Sequence, residues 1–256
     1  MKKWLFLCCV LLPLSLFADE IVKKKIIVGG YVWPPFVELQ GRNYQGMTLD
    51  LIDAANAIQG DYVFEFFLTS PENRHKDFYN KKFDMIFFED IDWDWLAYPV
   101  NASTPLAKGT ELYIALEKIG RNQSFFQEME KKSMSAVAGM HYSFAGQNAN
   151  AVYLKEHFNI QLQPTTSQVL QDVLNEKAEI GVINSISLEQ AFKQNPDLKK
   201  KIMIAKKIDQ DFVLSILARK DAPMTIEQVN LMLDRLDKAG ILEKLWEKYN
   251  LSPNLK

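Results

Sequence analysis

"FDMIFFEDIDWDW", Phe83–Trp95, runs from an apolar stretch straight into four carboxylates. Glu89, Asp90, Asp92 and Asp94 are set among Ile91, Trp93 and Trp95. A short, continuous apolar run such as "DMIFF" reads as a strand buried on both faces. Before it comes "RHKDFYNKKF", a polar helix candidate, and before that "YVFEFFL", aromatic and β-branched, a second strand. Further upstream, "GMTLDLIDAANAI" places Met47, Leu51, Ala54, Ala55 and Ile58 on one helical face. "KKIIVGGY" is another short strand, and "WPPF" behind it is a loop that two prolines keep irregular. Strand, helix, strand, helix, strand predicts a parallel α/β unit with its third strand ending at the acidic turn. Three readings of that turn stay open at this point: a ligand site, a metal site or a hydrated loop.

"KGTELYIAL" leads out of this unit as a long strand, and "MSAVAGM" opens a second series. "NANAVYLKEHF", "TSQVLQDVLNEK" and "SLEQAFKQ" read as helices, with "EIGVINS" as a strand before the last of them. "DFVLSILARK" returns as a strand. "TIEQVNLMLDRLDKAG" carries a Thr225–Gln228 capping box, a buried stripe of Val229, Met232, Leu233 and Leu236, and a stop at Gly240. "ILEKLWEKY" supplies a last helix, with Leu242, Leu245, Trp246 and Tyr249 along one face. No tandem repeat or low-complexity linker separates the two series.

The chain has 256 residues, 48% hydrophobic and 24% charged, enough for two compact units. Its net charge of -2 argues against nucleic-acid binding, which needs clustered basic surface. Residues 1–18 read as a secretory signal peptide: Lys2 and Lys3, an apolar run from Trp4 to Ala18, then Asp19–Glu20. That run is short for a membrane span. Cys8 and Cys9, the two cysteines of the sequence, leave with the signal, so no disulfide, thiolate metal site or thiol nucleophile is expected in the mature chain. Loss of Lys2 and Lys3 takes the net charge from -2 to -4.

The order of elements and several local strings resemble family 3 periplasmic solute-binding proteins, the polar amino-acid-binding type that serves ABC importers. "GGYVWPPFVELQGRNYQGMTLDLIDAANAI" is similar to that family's strand, aromatic-x-Pro-Phe loop, hairpin and helix. "NKKFDMI", "VLNEKAEIGVIN" and "LARKDAPMTIEQVNLMLDRLDKAGILEKLWEKYNL" resemble its later signatures in the same order. The resemblance implies two Rossmann-like lobes of the periplasmic binding protein type II kind, with a ligand cleft between them and hinge strands joining them. Lobe 1 would comprise residues 21–109 plus 213–256, and lobe 2 residues 110–212. It implies a periplasmic, monomeric, non-enzymatic protein that binds a small molecule and presents it to an inner-membrane permease. A ligand-sensing subunit for a membrane receptor, and an enzyme using carboxylates on the same fold, are the alternatives.

Site residues follow from the strand ends and from the resemblance. Open α/β sheets bind ligands beyond the carboxyl ends of their strands, which puts Glu89, Asp90, Asp92 and Trp93 at the ligand edge. Trp33 matches the family's stacking aromatic, whereas Phe36 reads as core. Tyr142 and Ser143, in "GMHYSFAG", match its hydroxyl and backbone N–H contacts, with His141 beside them, and Asn184 matches its second-lobe acid. Thr165 and Thr166 are either cleft residues or helix caps. The family's carboxylate-gripping Arg has no counterpart in "FFEDIDWDWLAYP", and its ammonium-holding Asp is Asn184 here. Carboxylates without a cation repel an anion and suit an amine, so the expected ligand is cationic and not a standard α-amino acid. Asp90-x-Asp92-x-Asp94 imitates a calcium loop, but Trp95 and Asn101 stand where Gly and Glu are needed, so no metal is expected. His75, His141 and His157 fit no catalytic motif, and no cofactor is implied.

Overall fold

The computed structural model describes residues 22–249 and 251; the expected signal peptide lies outside them. The first half contains β1 (Lys24–Gly30), a hairpin of β2 (Glu38–Gln40) and β3 (Asn43–Gln45), α1 (Met47–Ile58), β4 (Tyr62–Leu68), α2 (Arg74–Tyr79), β5 (Met85–Glu89) and β6 (Val100–Ala102). β7 (Ala107–Leu116) leads into β8 (Met134–Val137), α3 (Ala151–His157), β9 (Ile160–Gln163), α4 (Thr166–Leu174), β10 (Ile180–Asn184) and α5 (Ser185–Gln194). β11 (Ile202–Arg219) is followed by α6 (Ile226–Lys238) and α7 (Ile241–Tyr249).

One curled sheet runs β4-β1-β5-β11-β7-β10-β8-β9, with β6 also on β11. β1, β4 and β5 are parallel, as are β8, β9 and β10. Between these two parallel sets lie β7 and β11, antiparallel to each other from Leu116↔Ile202 to Ala107↔Leu214. The molecule therefore has two α/β lobes joined by one long two-stranded ribbon. β11 spans 18 residues, longer than "DFVLSILARK" alone indicates, and β9 has no sequence counterpart among the expected strands.

The helices cover the sheet as their apolar faces dictate. Val229, Met232, Leu233 and Leu236 of α6 are buried, and both halves of the Thr225–Gln228 capping box are formed. On α1 the buried set is Met47, Thr48, Leu51, Ile52 and Ala55, rotated slightly from the expected face. A single apolar cluster extends from lobe 1 through Trp33, Trp93 and Phe212 into lobe 2. A smaller one packs Leu170, Val173, Leu188 and Phe192 on the sheet of lobe 2.

Candidate functional site

β5 delivers the acidic turn with a distortion. Glu89 pairs with Ser215 and Ile86 with Leu217, so three steps on β5 match two on β11. Phe88 takes up the extra residue at φ 60°, a conformation costly for a bulky side chain. The bulge leaves the Phe88 ring stacked on Phe36, 4.4 Å between centroids, and Glu89 wholly buried.

The four carboxylates then have four different surroundings. Glu89 accepts from Trp95 Nε1 at 2.6 Å and pairs with Arg74 Nε at 3.2 Å. Asp90 accepts from the backbone N–H of Asp92 at 2.9 Å and of Val213 at 2.6 Å, tying the turn to β11. Asp92 is exposed, and its side chain has no partner among the described residues. Asp94 reaches His141 Nε2 at 2.7 Å.

Arg74 is the residue that sequence reasoning missed. It sits on α2, which reads as a polar surface helix, yet it is completely buried. Its guanidinium pairs with Glu89, donates to the carbonyl of Pro71, and crosses to lobe 2. There it donates to the carbonyl of Gly139 at 2.9 Å and to His141 Nδ1 at 3.1 Å. It also lies 5.7 Å from the ring centre of Tyr31. The cation that "FFEDIDWDW" lacks is therefore supplied from another element. Burial nevertheless outweighs Arg74 and raises the Glu89 carboxyl above its ordinary range. The Tyr31 hydroxyl is pushed well up by burial and by Glu89. It lies against that carboxylate, but neither it nor Glu89 Oε1 closes a hydrogen bond of normal geometry.

Trp33 is buried in an aromatic cage. It is 6.1 Å from Tyr31, 6.0 Å from Trp93 and 6.3 Å from Phe212, and its Nε1 is unpaired. The structure thus brings Trp33, Trp93 and the Glu89–Tyr31 pair into one neighbourhood. The candidates from lobe 2 are differently engaged. The hydroxyl of Tyr142 donates to the Val137 carbonyl and accepts from the Val137 N–H, so it is consumed within its own turn. Asn184 caps α5 by accepting from Ser187 N–H at 2.8 Å. Ser143 is exposed, and its backbone N–H and that of Phe144 go to Asp209, at 2.8 and 2.9 Å. Asp209 is the extra residue of a bulge in β11, between Ile208↔Leu112 and Gln210↔Glu111, which explains its aim. Thr165 caps α4, and with Thr166 it also lines an interlobe cavity of about 380 Å³ against Val32, Pro34 and Glu38.

Further contacts close the lobes on each other. Ser187 Oγ donates to the Pro34 carbonyl at 3.1 Å, and Gln190 donates to Glu38 at 3.0 Å. Gly139, at φ +74°, lies so close to lobe 1 that a Cβ there would sit 2.7 Å from Glu72 N. The largest cavity among those described, about 740 Å³, lies elsewhere, between Leu106, Leu233, Leu242 and Trp246. Arg74, Glu89 and His141 gather as buried ionisable groups where the lobes meet, whereas Asp77, Asp172 and Arg219 are buried within single lobes, and the interlobe cluster is where we place the site. No cluster of three or more metal-ligating side chains occurs among the described residues, and no described helix is long and apolar enough to cross a membrane.

Two α/β lobes on a shared ribbon, with polar groups buried where they meet, have the architecture of the two-lobe periplasmic amino-acid-binding proteins. No family model matches the chain. The arginine-binding extracellular protein ArtP of Bacillus subtilis is 23% identical over 97% of this chain and 98% of its own length. The substrate-binding protein of an ABC uptake transporter from Streptococcus pneumoniae, solved with bound histidine, superposes with a TM-score of 0.70 at 17% identity, over 88% of this chain and 92% of that one. The GluR0 ligand-binding core from Nostoc punctiforme, in complex with L-glutamate, gives 0.67 at 19% identity, over 88% and 98%. The resemblance to family 3 solute-binding proteins holds at the level of the whole fold.

Proposed function

We propose that this protein binds a small polar solute between its lobes on the outer side of the inner membrane and presents it to the permease of an ABC importer. The observation that carries the reading is a set of buried polar atoms without a full partner: Trp33 Nε1 and Gln147 Oε1 have none, and Tyr31 OH and Glu89 Oε1 face each other without closing a hydrogen bond of normal geometry. Leaving such a group dry and unpaired costs about 1–3 kcal/mol. A solute bearing both donors and acceptors would satisfy several of them at once. The extracellular arginine-binding relative and the histidine-bound structural neighbour support an amino acid or related amine as its class.

In this reading the walls are Trp33, Glu89 and Trp93 from lobe 1, with the turn around Tyr142 and Ser143 and the end of β10 at Asn184 closing from lobe 2. Asp90 and Asp92 frame the rim. In the same reading lobe 1 comprises residues 21–109 plus 213–256, and lobe 2 residues 110–212. The solute is cationic and departs from a standard α-amino acid, because Arg74 is already shared among Glu89, Gly139 and His141 and has little left for a carboxylate. The protein acts as a monomer and binds without turnover. The Asp94–His141 pair looks like a catalytic dyad, but the other ring nitrogen faces Arg74 and no nucleophile.

A thermal-shift screen of the mature protein against amino acids, polyamines, quaternary amines and small acids tests the reading. A true ligand at ~100-fold its dissociation constant adds about 2.7 kcal/mol of stability. A flat response across the whole panel would reject solute binding.

A further inference from the structure

Glu111 is a further buried acid, and the sequence reading passed over it. It lies on β7, 7% exposed, and its side chain forms no hydrogen bond among the described residues. β7 pairs regularly with β10, so its alternate residues Gly109, Glu111 and Tyr113 share one face. Gly109 looks directly onto the ring of Phe212, part of the aromatic cage around Trp33. The hydroxyl of Tyr113 donates to Asp209 at 2.6 Å. Glu111 stands between these two.

Across the sheet Glu111 is paired with Asn184 on β10 and with Gln210 on β11, so the three side chains form a row on that same face. Gln210 donates to the His141 carbonyl at 2.6 Å and accepts from Gln147 Nε2 at 2.7 Å. That leaves the buried Gln147 Oε1 without a donor. Asn184 faces it as a neutral cap. From lobe 1, Tyr31 lies within electrostatic reach, as does Tyr142 from the turn after β8. The charged group that bears on Glu111 is another acid, Asp209. Glu89 has its cation in Arg74; Glu111 has none.

We propose that Glu111 is the ammonium seat of the cleft: an amine or guanidinium binds beside it, and Gln147 Oε1 accepts from the same group. The inference rests on the solute-binding reading above and names the chemical class and the partner residue. Burial, with Asp209 adding to it, raises the carboxyl to about 8, so at neutral pH it enters the encounter protonated. That proton leaves to solvent as the cation arrives, and the buried site never holds an uncompensated anion.

The test has two arms, both with Glu111→Gln, a neutral near-isostere. In ligand-free melts between pH 6.5 and 8, the wild type loses stability as pH rises, because the unfolded carboxyl is already ionised while the folded one holds its proton. Glu111→Gln loses that decline. In calorimetric titrations with arginine, putrescine and agmatine at pH 7, in two buffers of different ionisation enthalpy, an amine that binds the wild type releases close to one proton. Glu111→Gln binds it at least tenfold more weakly and releases none. An amine that binds the wild type without proton release, or binds Glu111→Gln equally well, overturns the inference and leaves solute binding standing. A neutral or anionic solute that binds when all three amines fail does the same. If nothing in the wider screen binds, the solute-binding reading falls and this inference with it.

Discussion

At the scale of single residues, Glu89 and Arg74 form the ion pair most sensitive to loss of one partner. Both side chains are fully buried, and each is expensive to leave alone. Arg74→Met strands the Glu89 carboxylate and is expected to cost about 3–5 kcal/mol in denaturant unfolding. Glu89→Gln in the same chain removes the stranded charge and should return most of that loss. Two single losses that simply add in the double variant would mean that the pair is not coupled. This pair also shows what one-dimensional reading misses. The strand and its acidic turn are legible in "DMIFFEDIDWDW", because apolar continuity and strand-end logic are local. Arg74 is not, because "RHKDFYNKKF" has the composition of a solvated helix and its burial comes from a partner 15 residues away and a second lobe. Glu111 gave a fainter signal: a lone acid in the i, i+2 series Gly109, Glu111, Tyr113, immediately before the apolar run Leu112–Leu116.

At the scale of elements, the turn after β5 and the turn after β8 meet through His141. A guanidinium can only donate, so His141 Nδ1 must accept from Arg74, which places the ring proton on Nε2, facing Asp94. Protonating Nδ1 would set an N–H against Arg74. Burial first, then Arg74, lowers the His141 pKa from its ordinary value, and the same two causes lower His75 to about 4. The unfolded chain takes up these protons near pH 6.5 while the folded chain resists. The stability they protect is therefore complete above about pH 6.5 and declines as the pH falls from there toward 4. Melting curves from pH 7 to pH 5 should show this decline in Glu111→Gln, where the opposing proton of Glu111 is absent. His141→Gln should reduce the slope without abolishing it, since His75 remains; an unchanged slope would remove His141 from the account. The caps of α4, α5 and α6 illustrate the opposite, legible extreme. Thr225 and Thr165 accept N–H groups as caps, as their sequence positions allow, because capping is decided within one turn of helix; Asn184, expected as a cleft residue, caps α5 by the same local geometry. For Asn184 that local role accounts for the side chain's oxygen, whatever the resemblance implies at the same position.

At the scale of the whole molecule, the order of elements was readable because each βα unit is punctuated locally, whereas the closeness of the lobes was not. The closure is made by contacts between distant segments, of which Gly139 against Pro71–Glu72 is the tightest. Gly139 is doubly constrained there. Its φ of +74° disfavours any side chain, and a Cβ would lie 2.7–2.9 Å from Glu72 N, the Pro71 carbonyl carbon and Glu72 Cγ. Backbone atoms cannot step aside as a flexible side chain can, so Gly139→Val must move the two lobes apart or distort one of them. The β7–β11 ribbon is the natural place for the movement, since it is the covalent and hydrogen-bonded bridge between the lobes and carries irregularities at Ile208 and Asp209. Solution scattering of the wild type should show a small compaction when a saturating solute is added. Gly139→Val should keep the expanded profile with or without that solute and bind it more weakly, while far-ultraviolet dichroism shows both lobes still folded. A Gly139→Val chain that compacts as fully as the wild type would mean that the lobes close without this contact.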